Sequence, residues 1–157
     1  TVGLARYVTT IANSGTCYNL TLVDKITDRS GIVLMDNHAT VRNTINMDSS
    51  YWDAIHQGMR KVIESKSYYS DLGVKVAGKT GTAEENKNRG NHALFVCYAP
   101  YEQPEIAVAT RIAYGYTSTY AARMTKEVLK YYFDPAEEDE VITGTASQIT
   151  GVIEAND

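Results

Sequence analysis

Apolar residues recur every three or four positions in three stretches of the chain, a spacing that places them on one face of a helix. The stretches are residues 2–13, 51–64 and 119–133. The first ends at Asn13-Ser14-Gly15, a typical helix stop, and the third ends at Asp134-Pro135. We therefore predict three helices, with Ser49 or Ser50 as the N-cap of the second.

The second and third predicted helices each carry an apolar stripe for packing. The stripe of the second helix consists of Trp52, Ile55, Met59, Val62 and Ile63. The stripe of the third consists of Ala122, Met124, Val128, Leu129 and Tyr132. Gly58 interrupts the second helix and costs it about 1 kcal/mol relative to alanine, so we expect a close packing partner at Gly58.

The remaining short runs are typical of strands. They cover residues 19–27, 32–35, 74–82, 93–99 and 106–113, whereas residues 44–50 are polar and loop-like. Residues 93–99 are apolar on both faces, which predicts a central strand. Because the last three strands are joined by connections too short for crossovers, they should form an antiparallel meander. The chain is predicted to be α+β, an antiparallel sheet with packed helices.

Charge divides the 157-residue chain into two regions. Residues 134–157 contain seven acids and no base, whereas residues 1–133 contain 15 bases and 12 acids. We therefore predict a folded body at 1–133 and an acidic C-terminal tail at 134–157, which should be the most protease-sensitive region. A mildly basic body with an acidic tail does not indicate nucleic-acid binding.

Several other classes of protein are disfavoured by composition. With 43% hydrophobic residues the chain can bury a core, and no apolar run approaches the length of a membrane span. The two cysteines, Cys17 and Cys97, are too few for a disulfide framework or a zinc site and are predicted to be buried thiols.

One lysine carries the chemistry and allows two interpretations. Residues 73–80 match the phosphate-binding pattern G-x-x-x-x-G-K-T, and residues 32–36 look like the apolar strand that ends in a magnesium-binding aspartate. A phosphate loop must follow a buried strand and open a helix. Here residues 68–71 are a poor buried strand, residues 74–77 are β-like, and a charged segment without an apolar stripe follows Thr80. The P-loop NTPase is therefore a remote alternative.

The second interpretation takes Lys79-Thr80-Gly81-Thr82, here called the KTGT segment, as the K-T-G box of serine acyltransferases that act on D-Ala-D-Ala peptides and β-lactams. Residues 76–84 resemble the K-T-G strand of high-molecular-mass penicillin-binding proteins. As in them, a polar loop, a strand opening at His92, an Ala-Pro pair and a further strand follow. Residues 4–15, 52–62 and 120–133 are similar to other elements of the family. The resemblance covers residue 1 to about residue 133. The subgroup that the chain resembles most is the class B transpeptidases.

This resemblance implies a partial β-lactamase/transpeptidase-like fold and a role for each residue of the KTGT segment. Lys79 would supply positive charge, and the Thr80 and Thr82 hydroxyls would hold the substrate carboxylate. The Thr82 backbone N–H would be one of two oxyanion donors, and Gly81 would give clearance to the substrate backbone. The family needs no cofactor and no metal.

The resemblance also implies partners and a location. The intact parent protein would bind peptidoglycan stem peptides and β-lactams at the extracytoplasmic face of the bacterial membrane, anchored by an N-terminal segment absent here. Other cell-wall synthesis proteins would be further partners.

Two boxes of the family are absent from the chain. No lysine has a serine three residues before it, and no asparagine has a serine two residues before it, so S-x-x-K and S-x-N are both missing. We therefore expect the chain to correspond to the second half of a transpeptidase domain and to be inactive alone. A β-lactam-sensing receptor domain, which shares the fold and the boxes, is the alternative.

The remaining polar candidates are given structural interpretations. His92 is assigned to a strand edge rather than to catalysis, and His38 and His56 to the surface. The three histidines lack metal-ligand spacing. The carboxylate pairs Asp24/Asp28 and Glu84/Glu85 are interpreted as solvated charges. Residues 114–120 either line a substrate groove or form a packed loop.

Overall fold

The computed structural model describes residues 1–135, so the predicted tail at 134–157 lies almost entirely outside the described residues. The helices are α1 (Val2–Ala12), α2 (Ser49–Glu64) and α3 (Ser118–Phe133), with a short 3₁₀ turn at Ser67–Tyr69. The strands are β1 (Thr16–Tyr18), β2 (Lys25–Thr27), β3 (Val33–Asp36), β4 (Val41–Thr44), β5 (Ala77–Ala83), β6 (His92–Ala99) and β7 (Ile106–Ile112). Within the described part of the chain, no helix is long and apolar enough to cross a membrane.

The three C-terminal strands form the predicted antiparallel meander, in the order β5-β6-β7. The central position of β6 is confirmed. Strand β5 begins at Ala77 rather than at residue 74. The reason is that neighbouring carbonyls are engaged elsewhere: the Lys75 carbonyl accepts the Tyr101 N–H at 2.8 Å, and the Val76 carbonyl accepts the Arg60 guanidinium at 3.0 Å.

Each face of β6 packs into a separate core. On one face, here called the α3 core, the buried residues are Ile63, Tyr69, Leu72, Val76, Ala93, Phe95, Cys97, Ala99, Ala121, Ala122 and Leu129. On the other, the α1/α2 core, they are Val8, Ile11, Trp52, Met59, Ala77, Val96 and Tyr98. The alternation of side chains along a strand divides consecutive β6 residues between the two cores.

Helix α2 differs from its prediction at its start. It begins at Ser49, and its N-cap is Asp48, whose carboxylate accepts the Ser50 N–H at 2.9 Å and the Ser50 hydroxyl at 2.6 Å. Aspartate satisfies an open N–H and also favours the positive end of the helix dipole. The expectation of a close packing partner at Gly58 is wrong for residues 1–135, because none of their atoms lies within 4 Å of a Cβ placed there.

The predicted stripe of helix α3 is confirmed at Ala122 and Leu129 and is wrong at its other three positions. Its buried residues are Ser118, Ala121, Ala122, Thr125 and Leu129. Met124, Val128 and Tyr132 are exposed. Apart from Leu129, the buried stripe is made of small residues, which let the helix pack close to the sheet. The Thr125 hydroxyl donates to the Ala121 carbonyl at 2.8 Å and lies 2.6 Å from the Thr110 hydroxyl. A stripe that includes serine and threonine is missed when only large apolar residues are counted.

The segment between α1 and α2 is more divided than predicted. Residues 19–27 are not one strand: β1 pairs with β4, β2 pairs with β3, and residues 19–24 lie between them. Strand β4 was not predicted, because it contains one apolar residue, Val41. Every residue of β2, β3 and β4 is exposed. A strand that buries neither face has no alternation of apolar and polar residues, so this signal does not predict it.

Candidate active site

Strand β5 carries the KTGT segment through its middle. Lys79, Thr80, Gly81 and Thr82 pair with Val96, Phe95, Leu94 and Ala93 of β6 in unbroken register. Lys79 and Thr82 are exposed, and Thr80 and Gly81 are half-buried. The Lys79 ammonium donates to the Thr80 carbonyl at 2.9 Å. The four residues are thus fixed on a rigid strand that solvent reaches.

The lysine and the threonines face opposite sides of the sheet. Cross-strand partners share a face. Lys79 pairs with Val96 of the α1/α2 core, and Thr80 pairs with Phe95 of the α3 core. By alternation, Thr82 lies on the side of Thr80. A ligand that contacts both the ammonium and the hydroxyls must therefore lie along the edge of β5 rather than on a face.

The outer edge of β5 is open to such a ligand. Among residues 1–135, β5 pairs only with β6. An unpaired strand edge presents backbone N–H and C=O groups that an extended peptide can bond as an added strand. The arrangement can therefore bind a short peptide through its backbone while a cation lies to one side and hydroxyls to the other.

The two glycines of β5 differ in whether the fold has room for a side chain at their position. A Cβ at Gly78 would lie 2.7 Å from the Phe95 ring and 2.9 Å from the Val96 carbonyl, so internal packing excludes a side chain. A Cβ at Gly81 would meet only Leu94, at an ordinary 3.5 Å. The fold of residues 1–135 therefore does not need glycine at 81.

The P-loop interpretation of Lys79 is wrong. A phosphate loop wraps an anion at the start of a helix, whereas Lys79 and Thr80 are in the middle of a seven-residue strand. The strand that was predicted to end in a magnesium-binding aspartate does not lie beside Lys79 either. In the described part of the chain, β3 pairs only with β2, in a separate and exposed hairpin.

The surroundings of His92 could not be predicted from the sequence. It opens β6 and is only 6% exposed. Its Nε2 lies 2.8 Å from Glu85 Oε2, and its Nδ1 lies 3.1 Å from the Tyr114 backbone nitrogen. Glu85 is thus paired rather than simply solvated. The pairing joins residues seven and 22 positions away, so no local sequence pattern reveals it.

The other histidines and carboxylates have structural roles. His38 is exposed, as predicted, whereas His56 is half-buried, with Nε2 2.8 Å from the Ile11 carbonyl, which corrects its assignment to the surface. Asp28 accepts hydrogen bonds from the hydroxyl and N–H of Ser30 and from the Ile32 N–H, which lower the pKa of its carboxyl. It therefore stabilises a turn.

The aromatic stretch after β7 is a turn held by internal hydrogen bonds. Tyr114 and Tyr116 have φ values of +54° and +63°, and the Tyr114 hydroxyl accepts from Arg89 at 3.0 Å. The Thr117 hydroxyl accepts the Thr119 N–H and caps α3. Tyr114 and Tyr116 are nevertheless 40% and 52% exposed, so the groove lining stays a prediction.

Cys17 and Cys97 are buried free thiols, as predicted. Burial raises the pKa of the Cys97 thiol to about 12. A thiol with such a pKa is protonated at neutral pH and is a poor nucleophile. Among the described residues no cluster of three His, Cys, Asp or Glu side chains could hold a metal ion.

The sequence matches the family model "Penicillin binding protein transpeptidase domain" over residues 1–132. The chain therefore belongs to the penicillin-binding protein transpeptidase family, whose members act in peptidoglycan synthesis.

Named relatives agree with this assignment. The chain is 30% identical to penicillin-binding protein 2A of Bacillus subtilis over 175 aligned positions, which cover 98% of the chain and 24% of that protein. It is 34% identical to penicillin-binding protein 2B of Streptococcus pneumoniae strain D39, over 68% of the chain and 18% of the relative. The chain thus spans about a quarter or less of the length of these relatives.

Solved structures share the fold. Penicillin-binding protein 2B of S. pneumoniae strain R6 superposes with a TM-score of 0.72 at 27% identity, over 85% of this chain and 25% of that one. Penicillin-binding protein A of Mycobacterium tuberculosis, solved as an imipenem acyl-enzyme complex, superposes with a TM-score of 0.71 at 24% identity. The superposition covers 83% of this chain and 30% of that one. These likenesses confirm the predicted α+β transpeptidase-like fold.

Proposed function

We propose that residues 1–133 are the C-terminal part of the transpeptidase domain of a peptidoglycan D,D-transpeptidase, and that residues 134–157 are an appended acidic tail. The observation that carries the proposal is the KTGT segment on the open edge of β5. The family match and the relatives of Haemophilus influenzae and Acinetobacter baumannii named peptidoglycan D,D-transpeptidase MrdA support it.

The reaction is acyl transfer from a D-Ala-D-Ala stem peptide, with a serine as nucleophile. Lys79 attracts the terminal carboxylate, because among residues 1–135 it forms no ion pair that would neutralise it. The Thr80 and Thr82 hydroxyls hydrogen-bond that carboxylate. The Thr82 N–H donates to the oxyanion that forms when serine attacks the carbonyl, and Gly81 lets the substrate backbone lie against the strand.

The chain alone does not catalyse this reaction in our proposal. It contains neither S-x-x-K nor S-x-N, so the nucleophile, its lysine and the second oxyanion donor come from outside it. Removing the nucleophile of an acyl-transfer enzyme costs on the order of 10⁶ in rate. The longer protein would carry all three boxes at the extracytoplasmic face of the membrane. The acyl-enzyme complex of the M. tuberculosis protein supports β-lactams as ligands of that longer protein.

A fluorescent penicillin tests the proposal. We expect no covalent adduct on the 157-residue chain after denaturing electrophoresis and mass spectrometry, and a stoichiometric adduct on a serine of the longer protein. Lys79→Ala in the longer protein should slow labelling by on the order of 100-fold, as loss of one electrostatic group at an acyl-transfer site does.

Lys75→Ala is the matched control. Lys75 is an exposed lysine four residues upstream, outside β5, and its ammonium pairs with Glu102. Its replacement should leave labelling near the wild-type rate. An adduct on any residue of the isolated chain, or equal effects of the two lysine variants, would overturn the proposal. Transfer of the acyl group to a peptide amine separates a transpeptidase from the β-lactam-sensing receptor, which signals after acylation.

A further inference from the structure

The His92 ring joins two loops that are distant in sequence. Its Nε2 lies 2.8 Å from Glu85 Oε2, in the loop of residues 84–91 that follows β5. Its Nδ1 accepts the backbone N–H of Tyr114, in the turn of residues 114–116 that follows β7, at 3.1 Å. The ring also packs against the Tyr114 ring with a centroid distance of 4.9 Å.

These hydrogen bonds fix the tautomer of His92. A backbone N–H can only donate, so Nδ1 must carry a lone pair, and the ring proton is on Nε2, where it donates to the Glu85 carboxylate. Arg111 Nη2 also lies 3.2 Å from Nε2. A guanidinium can only donate, so this contact and the Glu85 bond cannot both be hydrogen bonds, and the acceptor role of Nδ1 selects the shorter bond to Glu85. A second proton on Nδ1 would oppose the Tyr114 N–H, so the geometry requires that Nδ1 carries no proton.

The two loops are fastened at further points around His92. Arg89 donates to the Tyr114 hydroxyl at 3.0 Å and lies 5.7 Å from the centroid of that ring. The Tyr116 N–H donates to the Asn91 carbonyl at 3.0 Å. Tyr114 and Tyr116 both have left-handed backbone conformations, which non-glycine residues hold at a cost of about 1 kcal/mol or more each and only where the surroundings impose them.

This network lies next to the proposed oxyanion donor. His92 pairs with Ala83 across the β5–β6 ladder, and Thr82 is the residue before Ala83. The loop of residues 84–91 leaves β5 at this point, and the tie from Glu85 to His92 is the first side-chain bond after the strand ends. The direction of the Thr82 N–H thus depends on where His92 holds the end of β5.

We infer that His92 is a positioning residue for acyl transfer: its neutral Nε2–H tautomer ties the 84–91 loop to the 114–116 turn and so holds the Thr82 backbone in place. The inference rests on the proposed function. An oxyanion donor acts on the transition state rather than on the bound substrate, so a misplaced Thr82 should slow acylation without weakening the complex that precedes it.

Three substitutions in the longer protein separate the two bonds of His92. His92→Asn keeps an acceptor near Nδ1 for the Tyr114 N–H, His92→Gln keeps a donor that reaches towards Glu85, and His92→Ala removes both. With rapid mixing of fluorescent penicillin, His92→Ala should lower the acylation rate constant by on the order of tenfold to 100-fold, the effect of a small misplacement at a reacting centre. The dissociation constant of the preceding complex should stay within about twofold. His92→Gln should recover more of the rate than His92→Asn, because the bond to Glu85 is the one that holds the loop at the end of β5. Equal rates of His92→Gln and His92→Ala would overturn this part of the inference.

A histidine-selective ¹⁵N spectrum of the longer protein tests the tautomer separately. The signal missing in His92→Ala should show an unprotonated Nδ1 and a protonated Nε2. The opposite tautomer, or an imidazolium, would overturn the inference, as would a His92→Ala protein with a lowered melting temperature and an unchanged acylation rate. If the wild-type protein is not acylated, the proposed function fails and the catalytic role of His92 with it, whereas the spectrum still decides the tautomer.

Discussion

The Tyr69 phenol donates a 2.8 Å hydrogen bond to the backbone carbonyl of Ala122, and so joins the 3₁₀ turn after α2 to the middle of α3 across 53 residues. The phenol of Tyr98, on β6, is buried as well, but it has no hydrogen-bond partner among residues 1–135. Burial raises the pKa of both hydroxyls well above that of a tyrosine in water. The same chemical group is therefore satisfied at one position and unsatisfied at the other.

Removing the two hydroxyls should have opposite effects on stability. Tyr98→Phe deletes an unsatisfied polar atom and should raise the free energy of unfolding of the chain by about 1 kcal/mol. Tyr69→Phe removes a buried hydrogen bond, although the Ala122 carbonyl keeps its backbone bond within α3, and should lower the free energy of unfolding by about 1 kcal/mol. Urea unfolding followed by circular dichroism measures both changes. A Tyr98→Phe protein less stable than wild type would show that its hydroxyl has a partner.

The two glycines of β5 should separate stability from function. Gly78→Ala places a methyl group within 3 Å of Phe95 and the Val96 carbonyl and should destabilise the chain by about 1–3 kcal/mol. Gly81→Ala meets only Leu94 at 3.5 Å and should change stability by less than about 0.5 kcal/mol. In the longer protein, however, Gly81→Ala should reduce penicillin acylation, because the added methyl group faces the ligand. Thermal melting and labelling, measured on the same samples, check the pair. Wild-type labelling of Gly81→Ala would contradict the role of this glycine.

Asp48 should make the stability of α2 depend on pH. Hydrogen bonds from the Ser50 hydroxyl and N–H lower the pKa of the Asp48 carboxyl in the folded chain. Since the folded pKa is the lower one, its stabilisation is complete above the ordinary carboxyl pKa and is lost as the pH falls through the folded value. Asp48→Ala should therefore melt at a lower temperature than wild type at neutral pH.

The matched control is Asp48→Asn, which keeps an acceptor but cannot titrate. The melting temperatures of wild type and Asp48→Asn should converge between pH 7 and roughly pH 3, while other carboxyls affect both proteins equally. A constant difference between the two over this range would show that the Asp48 charge does not stabilise the cap.

The thiol of Cys97 should resist modification in the folded chain. Its pKa of about 12 and its complete burial leave neither thiolate nor access for a reagent at pH 8. An alkylating reagent followed by mass spectrometry should label Cys97 only in denaturant. Rapid labelling of Cys97 without denaturant would mean that β6 opens independently of global unfolding.

The sheet and the location of the KTGT segment could be predicted because both depend on local signals. The short connections around β6 leave an antiparallel meander as the available topology, and its apolar run marks it as central. The helices α1 and α2 follow from their spacing, whereas the cap of α2 was assigned one or two residues late because Ser49 and Ser50 are also good capping residues.

What could not be predicted depends on tertiary contacts or on strands without a buried face. The inner face of α3 is set by the sheet, which admits Ala121 and Thr125 rather than Met124 or Val128. The exposed strand β4 has no alternation to detect. The partners of His92 lie on two different loops, so its burial follows only from the folded arrangement.

The division of β6 between two cores has a consequence for how the chain unfolds. Phe95 and Cys97 belong to the α3 core, and Val96 and Tyr98, their immediate neighbours, belong to the α1/α2 core. A disturbance that loosens either core must move the same peptide units and break the ladders to β5 and β7. We therefore expect the three helices and the central sheet of residues 1–135 to unfold as one cooperative unit.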